Sequence, residues 1–108
     1  MYTPNRGDLI WVDFDPTLVH EQAGHRPAVV LTKRAFNART KMALLVPVTS
    51  RVRGHQFEVK ISEASVQGVA LCHQARTIDF VSRKIKLADT LPVHTVDIIL
   101  AKVAALLD

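Results

Sequence analysis

Short apolar runs separated by turn-forming residues fill most of the chain and predict β-strands. Residues 28–32 are almost all apolar, as in a strand buried on both faces, whereas 56–61 alternates apolar and polar positions. We interpret residues 17–25 as a loop and the basic residues 33–41, interrupted by Asn37, as a connection. Further runs predict strands at 9–14 and at 42–48, where Pro47 indicates a bulge or an edge. The runs at 69–71 and 76–80 predict either two separate strands or one bent strand.

The end of the chain has a different period, which predicts a helix. Apolar residues recur at helical spacing in the series Val96, Ile99, Leu100, Val103, Leu106 and Leu107. Thr95 is the expected N-cap, and Asp97 lies where the helix dipole favours a negative charge. The predicted fold is mainly β: a small antiparallel barrel of five to seven strands, with a C-terminal α-helix packed against it. The helix is more apolar than one small barrel requires, so we expect the excess to contact a dimer partner or another protein.

Composition narrows the class of protein. A length of 108 residues predicts one domain over 1–108, and 48% hydrophobic residues are enough for a modest core. The net charge of +4 suits a polyanionic partner, although a basic surface kept for solubility explains it equally well. Cys72 is the single cysteine, which indicates a reducing compartment. Without an apolar run of membrane-spanning length or a signal peptide, the expected location is the cytoplasm, with no membrane contact.

Metal sites and covalent nucleophiles have little support in the sequence. The five histidines form no HExxH motif, no CxxC pair is present, and the glycines are isolated. The serines lack a nucleophile-elbow context, and Cys72 follows apolar residues. We therefore expect no metal and no cofactor.

Residues 20–26 hold the one dense set of reactive groups: a carboxylate, two imidazoles and a guanidinium, between two predicted strands. Loops on a rigid scaffold are frequent places for chemistry. Composition alone nevertheless favours a solvated polar loop.

Three blocks of sequence change that reading. The first is Gly-Asp-Leu-Ile-Trp-Val-Asp-Phe-Asp-Pro at 7–16, followed by His-Glu-Gln-Ala-Gly-His-Arg-Pro-Ala-Val-Val-Leu at 20–31. The others are Val-Pro-Val-Thr-Ser at 46–50 and Gln-Ala-Arg-Thr-Ile-Asp at 74–79. In order and spacing they resemble the MazF/PemK toxins. The resemblance implies an SH3-like barrel of the PemK/CcdB type, a homodimer, a cognate antitoxin, and cleavage of single-stranded RNA (mRNA) at short motifs.

The resemblance also implies roles for individual residues. The catalytic arginine falls on Arg26 and the catalytic threonine on Thr49, while the acid and imidazole used by some members fall on Glu21 and His25. His73 stands where an acidic residue is common in relatives, which leaves the base preference open. The expected RNA-binding residues are Phe14, Thr17, His20, Gln22, Gly24, Ser50, Arg51, Arg53, Gln74 and Arg76.

These residue types suit attack of the ribose 2′-OH on the adjacent phosphate. Arg26 is expected to neutralise the phosphoryl oxygens, Thr49 to donate to an oxygen or orient the 2′-OH, and Glu21 or His25 to move protons. Trp11 and Phe14 could stack on bases, although a place in the core or at the base of the loop suits them better. Two alternatives stay open: a toxin of the same fold that poisons a protein such as a topoisomerase, and a non-catalytic RNA-binding barrel.

Overall fold

A computed structural model describes residues 2–13, 25–63 and 66–108 of the chain. It contains seven strands, a short 3₁₀ turn and two helices. In chain order they are β1 (Asp8–Asp13), β2 (His25–Val30), α1 (Arg34–Thr40), β3 (Met42–Thr49), β4 (Glu58–Glu63), β5 (Val66–Leu71), the turn Cys72–Gln74, β6 (Arg76–Asp79), β7 (Ile85–Thr90) and α2 (Val93–Ala105).

The strands form one curled antiparallel sheet in the order β4-β5-β3-β2-β1-β7, with β6 paired to the first half of β3. This half-barrel with a C-terminal helix confirms the predicted fold class. Pro47 pairs with Ala28 of β2. It lies between Leu45, the last residue paired to β6, and Val48, the first paired to β5. The interruption expected at Pro47 is therefore a change of partner along one edge of a central strand.

Side chains from alternate positions of the central strands enter two apolar clusters. Leu9, Val29 and Val46 belong to the first cluster. The residues next to them in the sequence, Ile10, Val30 and Leu45, belong to the second. Because successive side chains of a strand point to opposite faces, a strand between two clusters is apolar throughout. This explains the continuous apolar run at 28–30. Helix α2 packs Val96 and Ile99 into the first cluster.

The expected connection at 33–41 is wrong, because this segment contains helix α1. Its one buried residue is Asn37, whose side-chain amide donates to the carbonyls of Pro4 (2.8 Å) and Thr32 (2.9 Å). The hydroxyl of Thr32 donates back to the Asn37 side chain over 2.6 Å. A short helix held by a polar side chain has no apolar period, so it leaves no helical pattern in the sequence.

Other boundaries also differ from the predictions. The N-cap of α2 is Pro92 and Thr95 lies inside the helix, because the helix begins at Val93. Strand β7 was missed: it lies at the edge of the sheet against β1, and most of its side chains are partly or fully exposed. The segments at 69–71 and 76–80 belong to two strands, since the turn Cys72–Gln74 separates them. In the part of the chain described, neither helix is long and apolar enough to cross a membrane.

Candidate functional site

The first two residues of β2 present polar side chains to solvent. Arg26 pairs with Val12 and His25 with Asp13 of β1, and both β2 side chains are exposed. The imidazole of His25 stacks on the indole of Trp11, with ring centroids 5.3 Å apart and planes 5° apart. Residues 28–30 of the same strand are buried, so the apolar half of β2 holds its polar end in place.

Thr49 lies at the end of the neighbouring strand. Ala28 of β2 pairs with Pro47 of β3. Arg26 precedes Ala28 by two residues and Thr49 follows Pro47 by two, so both lie at the same end of the antiparallel pair. The hydroxyl of Thr49 accepts a hydrogen bond of 3.1 Å from the backbone N–H of Arg51. A hydroxyl that accepts this bond keeps its own O–H for donation.

Gly68 controls the position of Thr49 from the other side. Strands β3 and β5 approach so closely that a Cβ atom on Gly68 would lie 2.2 Å from the carbonyl oxygen of Thr49. It would also lie 3.1 Å from the Cα atom of Ser50. Both contacts are with backbone, which cannot rotate away as a side chain can. Glycine is therefore required here by close approach of two chains.

A first cleft of about 250 Å³ brings Arg26 and Thr49 together. Ser50 lies at the same wall, and Trp11 and Gln67 complete the polar and aromatic part of the lining. The remaining lining residues are Pro27, Val48 and Val66.

A second cleft of about 200 Å³ shares Thr49 with the first. Its charged and polar lining includes the guanidinium groups of two arginines and the imidazoles of two histidines. The lining residues other than Thr49 are Arg51, Arg53, His55, Leu71, His73 and Gln74. Cationic donors line this cleft, as expected for a site that holds an anionic chain.

Glu58 organises the segment that carries the two arginines. Its carboxylate accepts the backbone N–H groups of Arg53 (2.9 Å) and Gly54 (2.8 Å) and lies 3.5 Å from Nε2 of His55. The hydrogen bond from the Arg53 amide, with that from Gly54, holds the pKa of Glu58 below its ordinary value. Gly54 adopts a φ of 83°, which allows the chain to turn over the carboxylate. From helix α2, the Lys102 ammonium donates to the carbonyl of Gln56 over 2.5 Å.

Comparison with known proteins decides the family. Residues 5–107 match the family model described as PemK-like, MazF-like toxin of type II toxin–antitoxin system. The chain belongs to this family. The resemblance based on three sequence blocks is thereby confirmed.

Relatives in this family match along almost the whole chain. The endoribonuclease toxin MazF of Escherichia coli K12 is 45% identical over 106 residues, covering 98% of this chain and 96% of the relative. The endoribonuclease PemK of Escherichia coli is 36% identical, over 94% of this chain and 80% of the relative. The structure of MazF from Deinococcus radiodurans superposes with a TM-score of 0.88 at 37% identity, covering 99% of this chain and 98% of that one. The MazE–MazF structure from the same organism gives a TM-score of 0.87 at 33% identity, covering 99% and 97%.

The two clefts gather six of the residues that the family resemblance pointed to. Arg26, Thr49 and Ser50 line the first, and Arg51, Arg53 and Gln74 join Thr49 in the second. His25 lies beside the first cleft, stacked on Trp11. Arg76 begins β6 opposite Leu45 and lines neither cleft. The predicted residues Phe14, Thr17, His20, Glu21, Gln22 and Gly24 lie outside the described residues.

Three further polar side chains line the clefts without having been predicted for them: Gln67, His55 and His73. Trp11 does what was expected of it, packing against the first apolar cluster, but it also lines the first cleft. For Gln67 no signal existed, because an exposed polar residue of β5 resembles any other. In residues 2–13, 25–63 and 66–108, no three His, Cys, Asp or Glu side chains are grouped so that they could hold a metal ion.

Gly68→Ala is expected to disturb the Thr49 end of β3, because the added methyl group meets backbone. Overpacking of this kind costs about 1–3 kcal/mol, so the free energy of unfolding in urea should fall by that amount. The amide NMR signals of Thr49 and Ser50 should shift. Lys60→Ala, at an exposed position of the paired strand β4, is the matched control and should change stability by less than about 0.5 kcal/mol. Equal stability of the two variants with an unmoved Thr49 signal would contradict the close approach.

Glu58→Gln is expected to destabilise the protein at neutral pH and not in acid. A carboxylate whose folded pKa is lowered contributes stability above its unfolded pKa of about 4.3, and this contribution is lost as the pH falls through the lower folded value. Unfolding free energies of the protein and the variant should therefore converge as the pH falls below about 4.3. A difference that stays constant from neutral to acid pH would show that the charge of Glu58 is not what holds the Arg53 and Gly54 amides.

Proposed function

We propose that this chain is the toxin of a toxin–antitoxin system and acts in the cytoplasm as a sequence-specific endoribonuclease on single-stranded RNA, mRNA in particular. The observation that carries the proposal is that Arg26 and Thr49 line one cleft. Similarity to the endoribonucleases MazF and PemK supports it. A barrel that poisons a topoisomerase, or one that only binds RNA, has no need of a guanidinium and a hydroxyl in the same cleft.

The reaction assigned to this cleft is transesterification within the RNA. The ribose 2′-oxygen forms a bond to the adjacent phosphorus, and the bond from phosphorus to the 5′-oxygen of the next nucleotide breaks. The products carry a 2′,3′-cyclic phosphate and a 5′-OH. A base takes the proton of the 2′-OH and an acid delivers one to the leaving 5′-oxygen. Because the nucleophile is already part of the substrate, no metal-activated water is required.

Arg26 is assigned to neutralise the negative charge that builds on the phosphoryl oxygens. A guanidinium donates two parallel hydrogen bonds and stays protonated at any working pH. Thr49 supports it from the opposite strand with a hydroxyl whose oxygen already accepts the Arg51 amide. His25, exposed beside Trp11, is assigned to proton transfer together with Glu21.

In this proposal the RNA binds along the first cleft and continues into the second. Thr49 belongs to both, so a chain whose scissile phosphate lies at Arg26 continues directly past Arg51 and Arg53. Cations track the phosphate backbone, and the amide of Gln74 is suited to a base edge. The expected contacts of Phe14, Thr17, His20, Gln22, Gly24, Ser50 and Arg76 belong to the same proposal.

The partners proposed for the chain are a cognate antitoxin and a second copy of itself. The antitoxin is supported by the similarity to MazF as it occurs in the MazE–MazF structure from Deinococcus radiodurans. The homodimer is supported by apolar side chains left exposed on α2 and just after it, at Val93, Leu106 and Leu107. Neighbouring exposed apolar side chains, as at Leu106 and Leu107, form the kind of surface that commonly marks protein contacts.

Arg26→Ala should lower the rate of RNA cleavage by about 100- to 1,000-fold, which is the usual loss when one preorganised oxyanion donor is removed. The fold should be unchanged, because the side chain is exposed at the end of β2. Thr49→Ala should lower the rate by a smaller factor. Arg39→Ala, on the exposed surface of α1, is the control and should cleave at the wild-type rate. More than half of the wild-type rate in Arg26→Ala would remove this residue from the site.

The chemistry predicts three results together. Cleavage should persist in excess EDTA, the products should carry a 2′,3′-cyclic phosphate and a 5′-OH, and a 2′-deoxy nucleotide on the 5′ side of the scissile bond should block the reaction. The third result follows because that 2′-OH is the nucleophile. Product ends are identified by mass spectrometry. Efficient cleavage of the deoxy substrate would overturn the mechanism even if the protein remained a ribonuclease.

A further inference from the structure

The second cleft contains a cluster of three aromatic rings that the reaction described above does not use. The imidazoles of His55 and His73 meet edge to face, with centroids 4.9 Å apart and planes at 85°. The ring of Phe57 lies 5.6 Å from His73 and 6.3 Å from His55. His73 and His55 are exposed, whereas Phe57 is half-buried beneath them.

The backbone holds this cluster in place from several elements. The N–H of Cys72, a fully buried residue, donates to the carbonyl of Phe57 over 3.0 Å, which ties the segment before β4 to the turn that carries His73. The carboxylate of Glu58 lies 3.5 Å from His55, and Lys102 of α2 binds the carbonyl of Gln56. The rings are therefore in position before any ligand arrives.

The surroundings of the rings match the parts of a nucleotide. The exposed imidazole of His73 offers a flat surface, and aromatic rings on such surfaces stack on nucleobases. Gln74 follows directly and can hydrogen-bond a base edge, while Arg51 and Arg53 line the same cleft and suit phosphate. The cleft has a volume of about 200 Å³, several times the roughly 30 Å³ that one water molecule occupies, so it has room for the ring of a base.

We propose that His73, supported by Phe57 and His55, is a specificity-determining residue that stacks on one RNA base next to the scissile phosphate. The proposal rests on the proposed ribonuclease function and names the subsite beyond Thr49 in which the first neighbouring base is held. Base preference at that position is then set by stacking on His73 and by hydrogen bonds to Gln74. Arg51 and Arg53 bind phosphate, and the carboxylate of Glu58 holds His55. These groups therefore do not contribute to the base preference.

The first step of the test identifies the substrate. Wild-type protein is incubated with an unstructured RNA that carries a randomised segment, and the 5′ ends of the products are sequenced to obtain the cleaved motif. Binding is then measured by fluorescence anisotropy with labelled RNA of that motif, made uncleavable by one 2′-deoxy nucleotide. The variants are His73→Ala, His73→Phe and, as a control on the exposed surface of α2, His94→Ala.

Stacking on His73 predicts a specific pattern. His73→Ala should bind about 5- to 150-fold more weakly, the range given by loss of one stacked base, whereas His73→Phe keeps a ring and should bind within a few-fold of wild type. His94→Ala should be unchanged. When the products of His73→Ala are sequenced in the same way, their base distribution should differ from that of the wild type at one position of the motif.

A double-mutant cycle identifies the base. Each nucleotide of the motif is replaced in turn by an abasic one, and its effect on binding is measured with the wild type and with His73→Ala. At one position next to the scissile phosphate the two losses should not add, because they remove the same contact.

Additive losses at every position, or His73→Ala binding as tightly as wild type, would overturn the subsite while RNA cleavage by the wild type persists. If the wild type neither binds nor cuts RNA, the proposed function itself fails. If His73→Ala does not fold, His73→Gln takes its place in the cycle, since it keeps a polar side chain and has no ring to stack.

Discussion

Strand β3 pairs with three other strands, and the site depends on the point where it changes partners. Its first half pairs with β6, its last two residues pair with β5, and β2 runs along the opposite edge. After Pro47 the chain has left β6 and comes so close to β5 that only a glycine fits at Gly68. Thr49 ends the strand at this narrow approach. The hydroxyl therefore sits on backbone that is constrained from both sides, as the catalytic role proposed for Thr49 requires.

A second constraint is electrostatic and holds the segment after β3. Residues 50–57 have no regular secondary structure, so their backbone groups need other partners. Glu58 takes two of the amides and Lys102 takes a carbonyl. These contacts hold the segment with Arg51, Arg53 and His55 against the cleft that His73 also lines. Because Lys102 belongs to α2, the C-terminal helix both packs the core and supports the segment that is proposed to bind RNA.

The sequence predicted the parts of the fold that depend on apolar periodicity. The two-faced strand at 28–30 and the helix at the end of the chain were identified because burial leaves a repeating pattern. Helix α1 and strand β7 were missed for the opposite reason. The first buries only the amide of Asn37, and the second is an edge strand with largely exposed side chains. Neither needs apolar residues at regular spacing, so neither has a period to detect.

The sequence by itself determined the family and predicted the pair Arg26 and Thr49, because short blocks of distinctive residues stand in the family's order along the chain. The tertiary structure alone decided that this pair lies across β2 and β3, that Gln67 joins it, and that His55, Phe57 and His73 form a ring cluster beside Thr49. These residues are far apart in the sequence or have no distinctive neighbours. Strand register and a turn between two strands bring them together, and such contacts have no local signal in a single sequence.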